Sequence, residues 1–181
     1  MTKRFYLFLI FGLTALNIFG QTSDTATMNT LMVYSDGFAF SVKEPDSWIG
    51  DIDNAKQFYS SIIFYKSKEE LKNGGAVIQV YSFSKRDEHT EKDLEYDIKS
   101  YREKYKNLKQ QDLFVSHKDY KCYGKTVYVK HNFYQYTVYV NPGGKYKSGL
   151  SVSMNVSKRP ATGDELKAFK EIIASLIMFK G

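Results

Sequence analysis

Between Leu150 and Val156 apolar and polar residues alternate without exception: Leu150, Val152, Met154 and Val156 fall on one side, Ser151, Ser153 and Asn155 on the other. Extended backbone sends successive side chains to opposite faces, so this run predicts a strand with one buried and one polar face. Phe38, Phe40 and Val42 share a face in the same way. They follow Met32–Ser35 and the dipeptide Asp36-Gly37, which predicts a hairpin, and Pro45 ends the second strand because proline cannot donate to a ladder. Trp48, the only tryptophan, is expected to plug the edge of the core.

Further strands are predicted over Gln57–Tyr65 and Ala76–Phe83, separated by a short polar helix from Ser67 to Lys72 and the break at Gly74-Gly75. Leu113–Lys121 and Lys125–Phe133 read as two strands around Tyr123-Gly124, and Tyr134–Asn141 follows. The alternation changes phase near Asn132. Val127 and Val129 mark the apolar side before it and Tyr136, Val138 and Val140 after it, so the chain must bend or reverse there. Asn141-Pro142-Gly143-Gly144 is a turn signal.

Two segments have helical spacing instead. Leu94, Ile98, Tyr101, Tyr105 and Leu108 form one stripe behind a capping-box-like Thr90 and Asp93. Leu166, Phe169, Ile172, Ile173 and Leu176 form another behind the capping box of Thr162 and Glu165. The order of elements predicts an α+β fold: an antiparallel β-sheet built from hairpins and a meander, with the helices packed on one face and the other face open.

The first residues follow a different logic. Lys3 and Arg4 precede the apolar run Phe5–Leu13, with Gly20 before Gln21, which is the pattern of a secretory signal peptide. The expected organisation is a signal peptide at 1–20, a flexible polar leader at 21–30 and one domain at 31–181, with no transmembrane span in the mature chain. Removing 20 of 181 residues takes away Lys3 and Arg4 and leaves 24 basic against 20 acidic residues, a balance of +4. Interleaved charges of that size do not make the basic stripe of a nucleic-acid binder. Cys122 is the only cysteine, so no internal disulfide is available and no lipid-anchor cysteine stands at the cleavage point. A periplasmic or extracellular product released from the membrane is the expectation. The 15 Tyr and 13 Phe favour β-structure.

The segment Gly37-Phe38-Ala39-Phe40-Ser41-Val42, with Pro45 and Trp48 after it, is similar to the opening hairpin of the PsbP-like family, and Ala168–Phe179 is similar to its closing helix. That family includes extrinsic oxygen-evolving subunits of photosystem II, the Ran-binding Mog proteins and secreted bacterial DcrB-type domains. The resemblance spans the mature chain and implies a PsbP-like α+β architecture. Its motifs form the core, so it assigns no residue a chemical role, and a shared fold would leave the function open.

Candidate chemistry is sparse. Cys122 with His117 or His131 lacks any local nucleophile signature. His89, His117 and His131 have no ligand spacing, and Asp51-Ile52-Asp53-Asn54 lacks the glycine and distal glutamate of a calcium loop. Gly149-Leu150-Ser151-Val152-Ser153 lacks the last glycine of a nucleophile elbow, and Glu69-Glu70 and Glu88 with Glu91 read as solvated carboxylates. Asn155-Val156-Ser157 matches a glycosylation acceptor by coincidence. No catalytic residue, metal site or cofactor is assigned. The remaining candidate is the open sheet face, where Tyr128, Lys130, Thr137, Tyr139, Ser153 and Asn155 would offer flat rings and polar groups to an envelope protein or a glycan. The reading is a non-enzymatic exported binding or accessory domain. The alternative is a small hydrolase or metal-dependent enzyme whose site is assembled from distant residues. Intact-mass analysis of the exported protein is expected to show an N-terminus at or near Gln21.

Overall fold

The computed structural model describes residues 29–35, 38–86 and 89–180. The signal segment, nearly all of the expected leader and the Asp36-Gly37 turn lie outside the described residues. A small antiparallel sheet contains β1 (Thr30–Ser35), β2 (Phe38–Lys43) and β10 (Ile177–Lys180), in the order β1-β2-β10. A larger one contains β3 (Ile49–Asp51), β4 (Ile62–Tyr65), β5 (Val77–Ser84), β6 (Lys109–Asp112), β7 (Lys121–Val129), β8 (Phe133–Asn141) and β9 (Ser148–Ser157). Its order is β3-β4-β5-β9-β8-β7-β6, two meanders joined where β5 pairs antiparallel with β9. The helices are α1 (Lys68–Lys72), α2 (Thr90–Lys104) and α3 (Gly163–Ser175), with a 3-10 turn at Ala55–Phe58.

The α+β class and the antiparallel sheet agree with the sequence pattern. The two long helices, however, divide between the faces of the large sheet. Val138 and Val140 of β8, Val152 and Met154 of β9 and Ile78 and Val80 of β5 join Phe40 and Val42 of β2 and Phe169, Ile172 and Ile173 of α3 in one core. Trp48 is buried in that core, as expected. Leu94 and Ile98 of α2 instead pack on Val127 and Tyr139, which point the other way. The chain does reverse at Lys130–Asn132, but Val127 and Val138 still end on opposite faces, because each side of the β7–β8 hairpin has its own cover.

Four boundaries differ from the sequence expectation. Gln57–Phe58 belong to the 3-10 turn rather than a strand. Residues Leu113–Tyr120 form no strand, and β7 runs unbroken through Gly124. There the Leu113 N–H donates to the Gly124 carbonyl at 3.0 Å, and a Cβ on Gly124 would lie 2.3 Å from the Leu113 carbonyl oxygen. Thr90 is the first helical residue of α2 rather than its cap, and His89 makes no side-chain capping bond. Finally, α3 stops at Ser175: Leu176 is extended (φ −61°, ψ 131°), and Ile177–Lys180 pair with β2 instead of continuing the helix.

The predicted capping box of α3 is present. The Thr162 hydroxyl accepts from the Glu165 N–H at 3.3 Å, and a Glu165 carboxylate oxygen accepts from the Thr162 N–H at 2.7 Å. Arg159 adds two bonds to the same carboxylate, at 2.7 and 2.8 Å, although Glu165 is buried. The Arg159 guanidinium holds the Glu165 carboxyl below its usual range against the opposing effect of burial. A depressed folded-state pKa gives stability that is complete above the unfolded value, about 4.3, and is lost as pH falls through the folded one. Glu165→Gln is expected to lower stability by about 1–2 kcal/mol at pH 7. Thermal unfolding followed from pH 7 to pH 3 checks this: the gap between wild type and variant should close at the acid end.

Candidate functional site

Of the six residues expected on an open sheet face, three meet. Thr137 pairs with Ser153 across β8 and β9, and Asn155 pairs with Gln135 one step along. Gln79 of β5 completes the group: its side-chain oxygen accepts from Asn155 Nδ2 at 3.3 Å and from the Ser153 hydroxyl at 3.5 Å. Gln135 Nε2 donates to the Thr137 hydroxyl at 3.3 Å. Gln79 and Gln135 were the missing members, and their polar positions between Ile78 and Val80 and between Tyr134 and Tyr136 are the signal that marks them.

The other three do not form an open surface with them. Tyr128 points to the opposite face, where its ring stacks on Tyr134 with centroids 5.1 Å apart. Lys130 sits exposed at the tip of the β7–β8 hairpin beside His131. Tyr139 is buried beneath α2: its hydroxyl donates to the Asp97 carboxylate, approaches the Tyr81 hydroxyl at 3.5 Å, and its ring lies 4.7 Å from that of Phe83. Ser153 is also buried. The face is therefore not the flat tyrosine platform expected, because α2 covers β7 and β8 while Ile63, Tyr65 and Val77 pack with Ala55 over the β4 side. Burial and then the neighbouring phenol and carboxylate push the Tyr139 hydroxyl far above the ordinary phenol range, so it stays protonated as a structural donor.

The histidines and the thiol do not converge either. His117 Nδ1 accepts from the backbone N–H of Asp119 (3.0 Å) and of Tyr120 (3.2 Å), which leaves the proton on Nε2, 3.0 Å from the Leu176 carbonyl. The ring stacks on Tyr120 at 4.4 Å. His117 thus ties the loop before β7 to the end of α3. His131 lies at the far end of β7, about 25 Å of strand from Cys122. Burial raises the Cys122 thiol to about 11, which leaves little thiolate at neutral pH. Among the described residues no group of three or more His, Cys, Asp or Glu side chains converges to hold a metal ion.

What the structure does leave open is apolar. On the outer side of the small sheet, Met32 pairs with Ser41 and Ser41 with Ile177, while Tyr34 pairs with Ala39 and Ala39 with Phe179. Two rows therefore run across three strands, with large side chains on β1 and β10 and small ones on β2 between them. Met32, Tyr34, Ile177 and Phe179 are 41%, 79%, 46% and 41% exposed. Beyond Ile177 a cavity of about 320 Å³ continues past Ala174, Pro45 and Lys43. A contiguous apolar patch with a polar rim is the usual mark of an interaction surface.

No protein-family model and no curated protein matches the chain. Among solved structures it is similar to the solution structure of cyanobacterial PsbP (CyanoP) from Synechocystis sp. PCC 6803, with 13% identity and a TM-score of 0.48 over 89% of this chain and 99% of that one. Among the described residues no helix is long and apolar enough to cross a membrane. The half-buried thiol with its raised pKa yields a direct check: Cys122 is expected to react with iodoacetamide at pH 7.5 at least tenfold more slowly in the folded protein than in urea. Equal rates would contradict its placement.

Proposed function

We propose that the chain is an exported, non-catalytic accessory domain that docks a protein of the cell envelope on the outer face of its small sheet. The observation that supports this most is the pair of cross-strand rows, Met32-Ser41-Ile177 and Tyr34-Ala39-Phe179, with four large side chains in solvent around a low centre. Folding alone favours polar residues on a sheet face left in water. Leu31, Met32, Val33 and Tyr34 have no polar side at all: Val33 enters the core while Met32 and Tyr34 face outward. The small Ser41, itself buried, and Ala39 lie between the large side chains of β1 and β10, so the contact a partner would make is to Met32, Tyr34, Ile177 and Phe179.

A partner protein accounts for this face better than a second copy. An obligate homodimer interface runs larger than the roughly 800 Å² per partner of a standard complex, whereas a transient complex with another protein can be smaller, and four partly exposed side chains suit the smaller size. The polar group of Gln79, Gln135, Thr137 and Asn155 satisfies much of its hydrogen bonding internally, so a glycan would have to displace existing bonds.

A photo-crosslinking amino acid placed at position 34 or 179, and at the 94% exposed Tyr59 as a control, tests the docking face in envelope extract. One and the same protein is expected on 34 and 179 and not on 59, and Phe179→Ser is expected to abolish its capture at position 34. Adducts equal at all three sites, none at 34 and 179, or adducts only with a second copy would overturn the proposal.

A further inference from the structure

A second groove lies elsewhere, between the first turns of α2, the end of β6 with the irregular segment 113–116, and β7, with a volume of about 570 Å³. Its walls differ in character. Leu94, Leu113, Val115 and Cys122 form an apolar side, and Phe114 stands beside them 87% exposed. Glu91, Glu95 and Asp112 supply three carboxylates against one ammonium, that of Lys125. Lys125 is already engaged with Asp112 at 2.8 Å and Glu95 at 3.4 Å, and the Asp112 bond is the main cause of its raised pKa. Glu91 is exposed and makes no ion pair among the described residues. The groove therefore carries an excess of two negative charges on a chain whose overall charge is positive.

Backbone geometry holds this groove open. The close approach at Gly124 seats the 113–116 segment against β7, and His117 anchors its far end to the Leu176 carbonyl. Phe114 lies between these two anchors and has no packing of its own, although an aromatic ring in water gains by being covered.

We propose that this groove binds a short basic peptide segment, taking one Arg or Lys side chain between Phe114 and the carboxylates of Glu91 and Glu95 and an adjacent apolar side chain against Leu113 and Val115. Each part has a stated cause. The exposed ring face and the acidic rim both select a cation, the first through its quadrupole and the second through its charge. The apolar wall selects a neighbour that a small free amine lacks. A volume of this size suits about three or four residues. The site is separate from the small sheet, so either can fail without the other.

The test uses the mature chain and two acetylated, amidated tetrapeptides, Arg-Leu-Arg-Leu and Glu-Leu-Glu-Leu, with binding followed by amide shifts in NMR. The basic peptide is expected to shift residues 113–116 and 122–125 saturably and to bind at least tenfold more tightly than the acidic one. Glu91→Gln and Phe114→Ala, both at exposed positions, are each expected to weaken it about fivefold, and 0.5 M salt to weaken it further. No saturable shift at millimolar peptide, equal binding of both peptides, shifts confined to other residues, or full binding by both variants would overturn the proposal.

Discussion

Burial of both faces of the β8–β9 pair is the constraint on which the rest of the structure depends. Its inner face is closed by the small sheet and α3, and its outer face is closed over β8 by α2. Strand periodicity makes these demands rigid, since a one-residue slip would carry Val138 and Val152 outward and Thr137 and Ser153 into the apolar core. The part-buried polar chain Asp97–Tyr139–Tyr81 then becomes possible, because α2 brings a carboxylate to a phenol that the strand alone would leave in water.

Much of this architecture is legible in the sequence where a single period runs unopposed. The perfect alternation of β9, the capping box of Thr162 and Glu165 and the stripe of α3 all correspond to real elements. Less legible are elements whose existence depends on a neighbour. The residues Lys109–Asp112 have no apolar member and become β6 only by pairing with β7. The end of α3 looks helical because Phe179 continues an apolar spacing, yet β2 offers an edge that Ile177–Lys180 complete. The face chosen by α2 is invisible to periodicity: its stripe requires an apolar contact without saying on which side. Phe133 and Tyr139, aromatic at positions otherwise filled by Gln, Thr and Asn, were the residues that carried that information.

The candidate site was harder to see for the same reason. A polar residue on a strand is read as exposed, whereas Ser151, Ser153 and Tyr139 are buried among neighbours that only the tertiary fold supplies. The apolar patch on the small sheet left a clear trace in Leu31-Met32-Val33-Tyr34, a run too continuous for a strand with one wet face. The acidic groove left almost none. Glu91, Phe114 and Lys125 are far apart in the chain, and they meet through the Gly124 contact and the His117 tether rather than through any local motif.

Methyl NOE spectroscopy on the mature chain tests the two-sided covering of the large sheet most directly. Cross-peaks from Leu94 and Ile98 to Val127 are the predicted result. Cross-peaks from the same two residues to Val138 or Val152 would put α2 on the inner face and contradict the account.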